Sequence, residues 1–352
     1  MKVLHLPTSV GGMGYGLSRG ERALGLTSDV LTVGKNWIDY PSDIVVDVEC
    51  SRFNRNINLF KALLKIRKKY DVYHFNFGST LINLRRHPNF DLYFYSGKSK
   101  KIMTYNGCDA RQKFLTMEKY DFSACHNPDC YGGMCKSVEN DLSKRNRIDY
   151  ISKYMDHIFY VNPDLKSFLP DNSSFLPYAV ALWDKINFQK RKCGYPLRIV
   201  HAPTNRGAKG SVEILQCMNR LIDKYPGKID FKIIENMKNS DAIGEYERAD
   251  LVIDQIYIGW YGGLAVEAMK AGAPVAVFIR EEDLVHVPLE MAYEVKEAFI
   301  SINPKNMYDQ LSYYIENPNE LKILSEKATD YVHKWHDPKY VASITKSIYE
   351  NL

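Results

Sequence analysis

Short apolar runs alternate with amphipathic stretches along the first half of the chain. The apolar runs predict β-strands at residues 2–6, 29–33, 44–48, 72–75, 102–105 and 157–161. Between them, apolar positions three or four residues apart predict helices from about Tyr15 and over residues 58–69. Apolar strands separated by helices are typical of a parallel sheet covered on both faces.

The second half restarts the same rhythm. Strands are predicted at residues 197–201, 231–234, 251–253 and 274–278, and helices at 211–224 and 264–271. From Pro304 onward the pattern is almost entirely helical, with helix starts expected at Pro318 and Pro338. The sequence therefore predicts an α/β protein with two Rossmann-like domains that face each other across a cleft. Ligands are expected at the carboxyl ends of the strands.

A chain of 352 residues is longer than a single hydrophobic core usually supports, and its length fits two domains. We expect a first domain over residues 1–178, with a cysteine-rich insertion at about 108–135, and a second domain over residues 179–335. Residues 336–352 are expected to form a helix that crosses back to the first domain. Residues 172–196, which contain two prolines, are the best linker candidate.

Composition excludes several protein classes. Apolar residues make up 45% and charged residues 25%, which is ordinary for a globular protein and not for a disordered chain or a coiled coil. The most apolar region, residues 251–279, is interrupted by Asp254, Glu267 and Lys270, so it does not resemble a membrane span. The N-terminal apolar run is too short for a signal peptide, and seven cysteines is an odd number. We therefore expect a cytoplasmic protein with reduced thiols.

Positive charge is concentrated in the first half. Residues 1–180 hold 25 Lys and Arg against 18 Asp and Glu, and the remaining residues hold 22 against 24. Residues 50–70 contain seven Lys and Arg and no acid. The stretch 52–69 is either a surface helix with an inward apolar stripe or a peripheral contact with an anionic membrane at the inner face. No nucleic-acid-binding module is visible, so nucleic acid is not an expected partner.

Two glycine-containing loops follow predicted first strands. Gly11, Gly12 and Gly14 precede a helix, where glycine lets the backbone approach a phosphate or sugar, or merely makes a tight turn. In the second half, Arg206 and Lys209 lie in a loop at a helix start. Two cations and a helix N-terminus favour a diphosphate, although both side chains could instead be solvated.

A third loop opens a helix with Gly262 and Gly263. The amides of Gly263 and Leu264 are placed to hold a phosphate. Glu267, one turn later, could accept both hydroxyls of a ribose. A carboxylate in a first helical turn is also an ordinary N-terminal preference.

Several of these segments resemble one family in the right order. Glu267-Ala268-Met269 and the run Ala-Gly-Ala-Pro-Val at 271–275 resemble the signature of retaining glycosyltransferases with the GT-B fold, of the glycosyltransferase family 4 type. Arg206 and Lys209 resemble that family's pyrophosphate clamp, and residues 11–14 its N-terminal glycine loop. The segment Tyr-Asn-Gly-Cys-Asp-Ala-Arg at 105–111 resembles its His-Gly-x-Asp-x-Arg segment.

The resemblance implies a transferase that moves a sugar from a nucleotide-diphosphate-sugar to a glycan, a lipid-linked molecule or a small acceptor, with retention and without a metal or other catalytic cofactor. Residues 1–178 would be the acceptor side and residues 179–335 the donor side. It assigns catalysis to Asp109, Arg206 and Lys209, and the acceptor side to Asn106 and Arg111. His74, at the end of its predicted strand, is a further candidate for the acceptor side, or else a histidine of the core. Donor binding falls to Gly11, Gly12, Gly14, Asp254, Gln255, Gly262, Gly263, Leu264 and Glu267.

Two departures from the family pattern keep alternatives open. Gly259 stands where the family has a first glutamate, with Asp254 or Gln255 as substitutes, and Asn106 stands where many relatives have a histidine. A neutral amide cannot act as a general base. The alternatives are a non-catalytic GT-B subunit or sugar-nucleotide binder, and a sugar-nucleotide epimerase on the same fold.

A cysteine cluster is the last candidate site. Cys125, Cys130 and Cys135 are spaced five residues apart, and Cys108 lies upstream. Thiolates in such a group, together with His126, are candidate ligands of a structural zinc ion. The alternative is a set of reduced cysteines in a loop.

Overall fold

The computed structural model describes residues 1–35, 38–83, 89–191 and 194–352. Two residues of the predicted linker, 192 and 193, lie outside the described residues. The chain forms two compact units. The first comprises Met1–Gln112, Asp141–Ala181 and Asp337–Leu352, and the second comprises Lys113–Asn140 and Leu182–His336.

The described residues contain twelve strands. They are β1 (Lys2–Leu6), β2 (Thr27–Val33), β3 (Ile44–Val46), β4 (Val72–Asn76), β5 (Lys100–Tyr105), β6 (His157–Tyr160), β7 (Ser174–Phe175), β8 (Leu197–His201), β9 (Ile229–Ile233), β10 (Leu251–Ile253), β11 (Val275–Val277) and β12 (Ile300–Ser301).

Twelve α-helices lie in the same ranges of the chain. They are α1 (Met13–Ala23), α2 (Arg52–Ile66), α3 (Lys113–Lys119), α4 (Val138–Ser152), α5 (Arg206–Lys209), α6 (Ser211–Lys224), α7 (Asn239–Arg248), α8 (Gly263–Lys270), α9 (Leu289–Ala298), α10 (Met307–Glu316), α11 (Pro318–Trp335) and α12 (Pro338–Asn351). Within these ranges, no helix has both the length and the apolar content to cross a bilayer.

The first unit is built on a parallel sheet in the order β3-β2-β1-β4-β5-β6-β7. Strand β4 is buried along its whole length, because helices cover both faces of the sheet. The strand order reverses between β1 and β4, whose paired residues run from Val3 with Val72 to Leu6 with Phe75. This topological switch point is where open α/β sheets bind ligands.

The second unit is a parallel sheet in the order β12-β11-β10-β8-β9. Here the order reverses between β8 and β10, and His201 at the end of β8 lies opposite Ile253 at the end of β10. The loops that begin at residues 202 and 254 therefore leave the sheet side by side. Two doubly wound sheets confirm the predicted fold class of two Rossmann-like domains.

The C-terminal helix α12 packs on α1 inside the first unit. Glu21 of α1 is fully buried and its carboxylate accepts hydrogen bonds from Ser28 at 2.6 Å, Thr345 at 3.2 Å and Tyr349 at 3.1 Å. His5 Nε2 lies 2.8 Å from the same carboxylate. This shared set of partners joins α12 to the sheet, because a buried carboxylate needs its hydrogen bonds.

The segment 113–140 differs from its sequence assignment. It packs with the second unit, whereas the sequence places the cysteine-rich insertion in the first domain. The cause is contact with the loop after β8: Asn127 Nδ2 donates to the Gly207 carbonyl at 3.0 Å, and the Tyr131 amide donates to Asn205 Oδ1 at 3.2 Å. Such contacts between distant segments leave no periodic signal in a sequence.

Candidate functional site

The loop after β8 turns sharply into two helices. Asn205 caps α5 by accepting the Ala208 amide at 2.9 Å. Gly210, with φ at +74°, then ends α5 and begins α6. A Cβ at this position would lie 2.4 Å from Ile256 Cγ1, in the loop after β10, so only glycine fits. The two loops are thereby held together with Lys209 between them.

Lys209 forms the central contact of the site. Its Nζ lies 2.5 Å from Asp254 Oδ1, and the other oxygen, Oδ2, accepts the Gly262 amide at 3.0 Å. Asp254 is fully buried and the Lys209 side chain is 14% exposed. The carboxylate thus fixes the ammonium beside the first turn of α8, where it can meet an anion without losing its partner.

The N-terminus of α8 supplies amides next to this cation. Gly262 is the N-cap, in extended conformation, and Gly263 and Leu264 occupy the first turn. Amides in a first helical turn have no intrahelical acceptor, and the helix dipole adds partial positive charge. Lysine and amides together make this edge of the second sheet suited to a diphosphate.

Glu267 lies one turn further along α8 and is buried. Burial raises the pKa of its carboxyl from 4.5 to about 7, and the hydrogen bond from Asn239 Nδ2, at 2.9 Å, opposes that rise. Asn239 begins α7, and its own Oδ1 has no hydrogen-bond partner among the described residues. The motif pointed to Glu267, but no pattern in the sequence indicated Asn239, because the pair forms only in the folded unit.

The raised pKa of Glu267 predicts a pH dependence of stability. The folded state holds the proton more tightly than the unfolded state, so this stabilisation is complete below pH ~4.5 and is lost as the pH rises through about 7. Between those limits the free energy of unfolding should fall by up to about 3 kcal/mol through this group. Glu267→Gln should remove that part of the dependence in urea unfolding. An unchanged pH profile would contradict it.

Arg206 is held away from Lys209 by a different partner. Its Nε and Nη2 donate to the two oxygens of Glu235 at 2.8 and 2.6 Å. The Arg206 side chain is 53% exposed, and exposed ion pairs contribute little stability, so an arriving anion can displace Glu235. The structure thus brings Lys209, Gly262, Gly263 and Leu264 together, with Arg206 at the edge.

Gln255 braces its own loop. Its Nε2 donates to the carbonyls of Trp260 and Phe278, and its Oε1 accepts the amides of Tyr257 and Ile258. The side chain is fully buried, and both its nitrogen and its oxygen are engaged in these bonds. Gln255 therefore shapes the turn between β10 and α8.

Gly259 faces a buried arginine. Its φ is +87°, and a Cβ there would lie 2.4 Å from Arg280 Nη1. The Arg280 guanidinium donates to the Phe122 carbonyl at 2.7 Å, lies 3.3 Å from Asp283 Oδ2, and covers the Tyr120 ring at 3.8 Å. Arg280 thus fills the space that a side chain at position 259 would need. Sequence reasoning identified the glycine but not the arginine.

We expect Gly259→Ala to lower stability by about 2 kcal/mol or more. The left-handed backbone alone disfavours alanine by about 1–2 kcal/mol, and the new methyl would displace Arg280. Thermal unfolding measures the effect. The matched control is Gly262→Ala, where φ is −110° and the nearest atoms lie at 3.8 Å. Equal losses in both variants would contradict the proposed role of Arg280.

The cysteines of the insertion lie near the loop that follows β8. A Cβ on Gly207 would lie 2.6 Å from the Asp129 carbonyl, so the insertion backbone touches α5 directly. Among the residues that the structure describes, no group of three or more His, Cys, Asp or Glu side chains is placed to hold a metal ion. Cys108 belongs to the first unit, and Cys125, Cys130 and Cys135 belong to the second. The zinc site stays a prediction.

The glycines after β1 have different surroundings. Gly11 has φ at +61°, and no described atom lies within 4 Å of a Cβ built there, whereas a Cβ on Gly12 would lie 2.7 Å from Ala181 Cβ and 2.9 Å from the Tyr40 ring. A Cβ on Gly14 would lie 3.4 Å from His5 Cβ. Gly11 therefore leaves room for a ligand, while Gly12 and Gly14 allow close packing within the first unit.

The segment after β5 is tightly hydrogen-bonded. Asp109 is buried, accepts the amides of Asn106 and Gly107 at 2.6–3.1 Å, and has a pKa raised by burial. Arg111 is also buried and pairs with both oxygens of Asp164 at 2.5 and 2.9 Å. In the described parts of the chain, Asn106 Oδ1 has no hydrogen-bond partner, so this side chain keeps an unused buried acceptor.

His74 lies in the core of the first unit. Its Nδ1 is 2.6 Å from the Tyr349 hydroxyl, its Nε2 is 2.6 Å from the Thr104 hydroxyl, and burial lowers its pKa. The side chain is 1% exposed. These contacts favour a structural role for His74 over contact with an acceptor.

The fold matches that of known sugar-handling enzymes. No family model and no curated protein matches the sequence. Sucrose-phosphate synthase from Thermosynechococcus elongatus aligns with a TM-score of 0.62 at 12% identity, over 100% of this chain and 99% of that one. An alpha-glucosyltransferase in complex with UDP and DNA containing an HMU base aligns at 0.63 and 12%, over 99% of each chain. UDP-GlcNAc 2-epimerase from Neisseria meningitidis, bound to UDP-GlcNAc, aligns at 0.55 and 13%, over 100% of each.

These likenesses establish the fold. The chain has the GT-B architecture that glycosyltransferases and UDP-GlcNAc 2-epimerases share, as the sequence motifs implied. At identities of 12–13% they do not by themselves assign an activity.

Proposed function

We propose that this chain is a glycosyltransferase that uses a nucleotide-diphosphate-sugar donor. The observation that carries the proposal is the contact of Lys209 with buried Asp254 beside the first turn of α8. This pair lies at the switch point of the second sheet, with Glu267 one turn away. The neighbours solved with UDP or UDP-GlcNAc support the same donor class.

Each group would have a distinct part in the transfer. Lys209 and the amides of Gly263 and Leu264 would neutralise the diphosphate as the bond from the anomeric carbon to its oxygen breaks. Arg206 would join them after leaving Glu235, and Glu267 would accept the ribose hydroxyls. The leaving phosphate would take the acceptor proton as the new glycosidic bond forms on the same face, so retention needs no protein base. Cations and amides in these positions also support a reaction without a metal ion.

The acceptor side is proposed to be the first unit. Gly11 faces open space and Asn106 keeps a free acceptor atom, so both are suited to contact a sugar or hydroxyl. One neighbour was solved with DNA, which makes nucleic acid a class to include among tested acceptors rather than one to exclude.

A sugar-nucleotide epimerase is the second candidate. The alignment with UDP-GlcNAc 2-epimerase extends over the whole of both chains. Against it, Asp254 already binds Lys209 and Gly262 with its two oxygens, which leaves no carboxylate of that loop for proton transfer at a sugar carbon. A non-catalytic binder is the remaining alternative.

Donor turnover in heavy water separates the three possibilities. The protein would be incubated with UDP-, GDP- and ADP-sugars, with and without mixed acceptors, and products followed by NMR. Release of nucleoside diphosphate with an unchanged anomeric configuration supports the transferase. Deuterium entering the sugar ring supports the epimerase, and binding without either change supports the binder.

A further inference from the structure

A cavity of about 900 Å³ opens in the first unit, beside the glycine loop that follows β1 and at the start of the basic stretch 52–69. It lies at the carboxyl ends of β1 and β2 and at the start of α2. Loop residues 7–10, 32–35 and 79–83 form its walls. The carboxyl edge of a parallel sheet is the usual position of a ligand site in such a unit.

The charge of this cavity has one sign. Lys35, Arg52 and Arg55 line it, and its described lining contains no carboxylate. Within the part of the chain that the structure describes, none of these three cations forms an ion pair. Unpaired cations that converge on one concave space attract an anion. Two arginines favour a phosphate, because both guanidinium groups can donate hydrogen bonds to its oxygens.

Polar groups add hydrogen-bonding capacity to the same walls. Thr8 Oγ1 is buried and has no hydrogen-bond partner among the residues that the structure describes, and Asn56 and Ser79 also line the space. The wall at residues 80–81 is fixed, because Asp91 accepts the Thr80 hydroxyl at 2.5 Å and the Leu81 amide at 2.9 Å. The site therefore has a firm wall, and an unused hydroxyl lies among its cations.

An apolar cavity of about 540 Å³ adjoins the first one. The two share Asn56, Leu59 and Ile82, so a single ligand can extend from one into the other. The apolar cavity is lined by Phe53 and Phe60 of α2, which are 74% and 45% exposed. Large apolar side chains exposed side by side mark a surface that binds apolar partners.

We propose that these two cavities bind a lipid phosphate, with its phosphate in the cationic cavity and its hydrocarbon chain along the apolar one. A cationic cavity that adjoins an apolar one favours a single ligand with a phosphate and a hydrocarbon chain. A soluble sugar phosphate would leave Phe53 and Phe60 uncovered. Residues 52–60 of α2 would then contact a ligand of defined chemistry. The binding step does not depend on the proposed donor chemistry, although the proposed function makes such a lipid an acceptor candidate.

The test compares two variants with equal charge loss, one at the start of α2 and one at its end and just beyond it. Arg52→Gln with Arg55→Gln removes two of the three cations of the cationic cavity, and Lys65→Gln with Lys68→Gln removes two exposed cations outside both cavities. The full chain is floated with phosphatidylcholine vesicles that contain phosphatidic acid. The cavity variant should lose at least about tenfold more affinity than the control variant. Equal losses would indicate unspecific attraction to the surface and would overturn the proposal.

A second arm identifies the source of the phosphate. Phe53→Ser with Phe60→Ser should weaken vesicle binding about tenfold and leave binding of glycerol 3-phosphate, measured by calorimetry, unchanged. Tight binding of glycerol 3-phosphate or glucose 6-phosphate without vesicle binding would overturn the lipid assignment. Because no nucleotide is present, this outcome is independent of donor turnover, so either proposal can fail alone.

Discussion

Lys209→Ala is expected to lower donor turnover by about 100-fold to 1,000-fold. The variant removes the buried cation that would neutralise the departing diphosphate, and a preorganised charge of this kind contributes that much to the rate. It also leaves Asp254 buried without its partner, which should destabilise the second unit by about 3 kcal/mol. Nucleoside diphosphate release from the donor, followed at a temperature where the variant remains folded, measures the first effect.

Two further variants separate chemistry from folding. Lys209→Ala combined with Asp254→Asn removes the unpaired carboxylate, so it should recover most of the lost stability and none of the turnover. Lys232→Ala is the matched control, because Lys232 lies 3.0 Å from Glu245 on an exposed face of the same unit. Recovery of turnover in the double variant would contradict a direct role for Lys209.

Gly20→Ala is expected to detach α12 and to lower stability by about 3 kcal/mol. A Cβ at this position would lie 1.9 Å from the Pro338 carbonyl oxygen and 2.8 Å from Ala342 Cβ. Because the first of these neighbours is backbone, the whole helix must move, and overpacking of this degree is destabilising. Once α12 moves, Glu21 loses Thr345 and Tyr349 as partners.

Gly244→Ala is the control for this change. Gly244 also lies within a helix, and a Cβ there meets only Arg248 Nη1 at 3.8 Å. Alanine is the better helix former, so the control should gain up to about 1 kcal/mol. Limited proteolysis should release the C-terminal residues of the Gly20→Ala variant first. A Gly20→Ala protein as stable as the control would contradict the packing of α12 on α1.

The sequence predicted much of this fold because the sheets are buried on both faces. Strands such as β1, β4 and β8 are apolar runs that no surface helix would contain, and each appears within a residue of its predicted bounds. Short strands were missed: β7 and β12 have two residues each, too few for a pattern. Helices α3, α4, α7 and α9 were missed as well, since each buries at most three apolar side chains.

The candidate site was predictable only where chemistry and local sequence coincide. Lys209 and Glu267 stood out because each lies in a glycine-containing helix start after a strand. Asn239 and Arg280 act through side-chain contacts with residues 28 and 21 positions away, and no local pattern indicates such contacts. Asp254 was identified by its place after a strand, but its pairing with Lys209 emerges only from the adjacency of β8 and β10.

The structure gives a physical reason for the glycine at position 259, where the resembled family has a glutamate. The sequence left open whether the missing glutamate is a lesion. In the folded unit, the glycine has a backbone conformation that side chains rarely adopt, and Arg280 occupies the adjoining space with Tyr120 and Asp283 as partners. A buried arginine with these partners beside the glycine favours an altered site over an incomplete one.

The most direct test of the central claim is calorimetric titration of the protein with UDP, GDP and ADP. We predict that one of them binds in the micromolar range, releases heat, and loses about tenfold or more in affinity in both Lys209→Ala and Glu267→Ala. Lys232→Ala should bind like the unmodified protein. If none of the three binds, or if the affinity is unaffected by both site variants, the second unit is not a nucleotide-sugar domain and the proposed function is wrong.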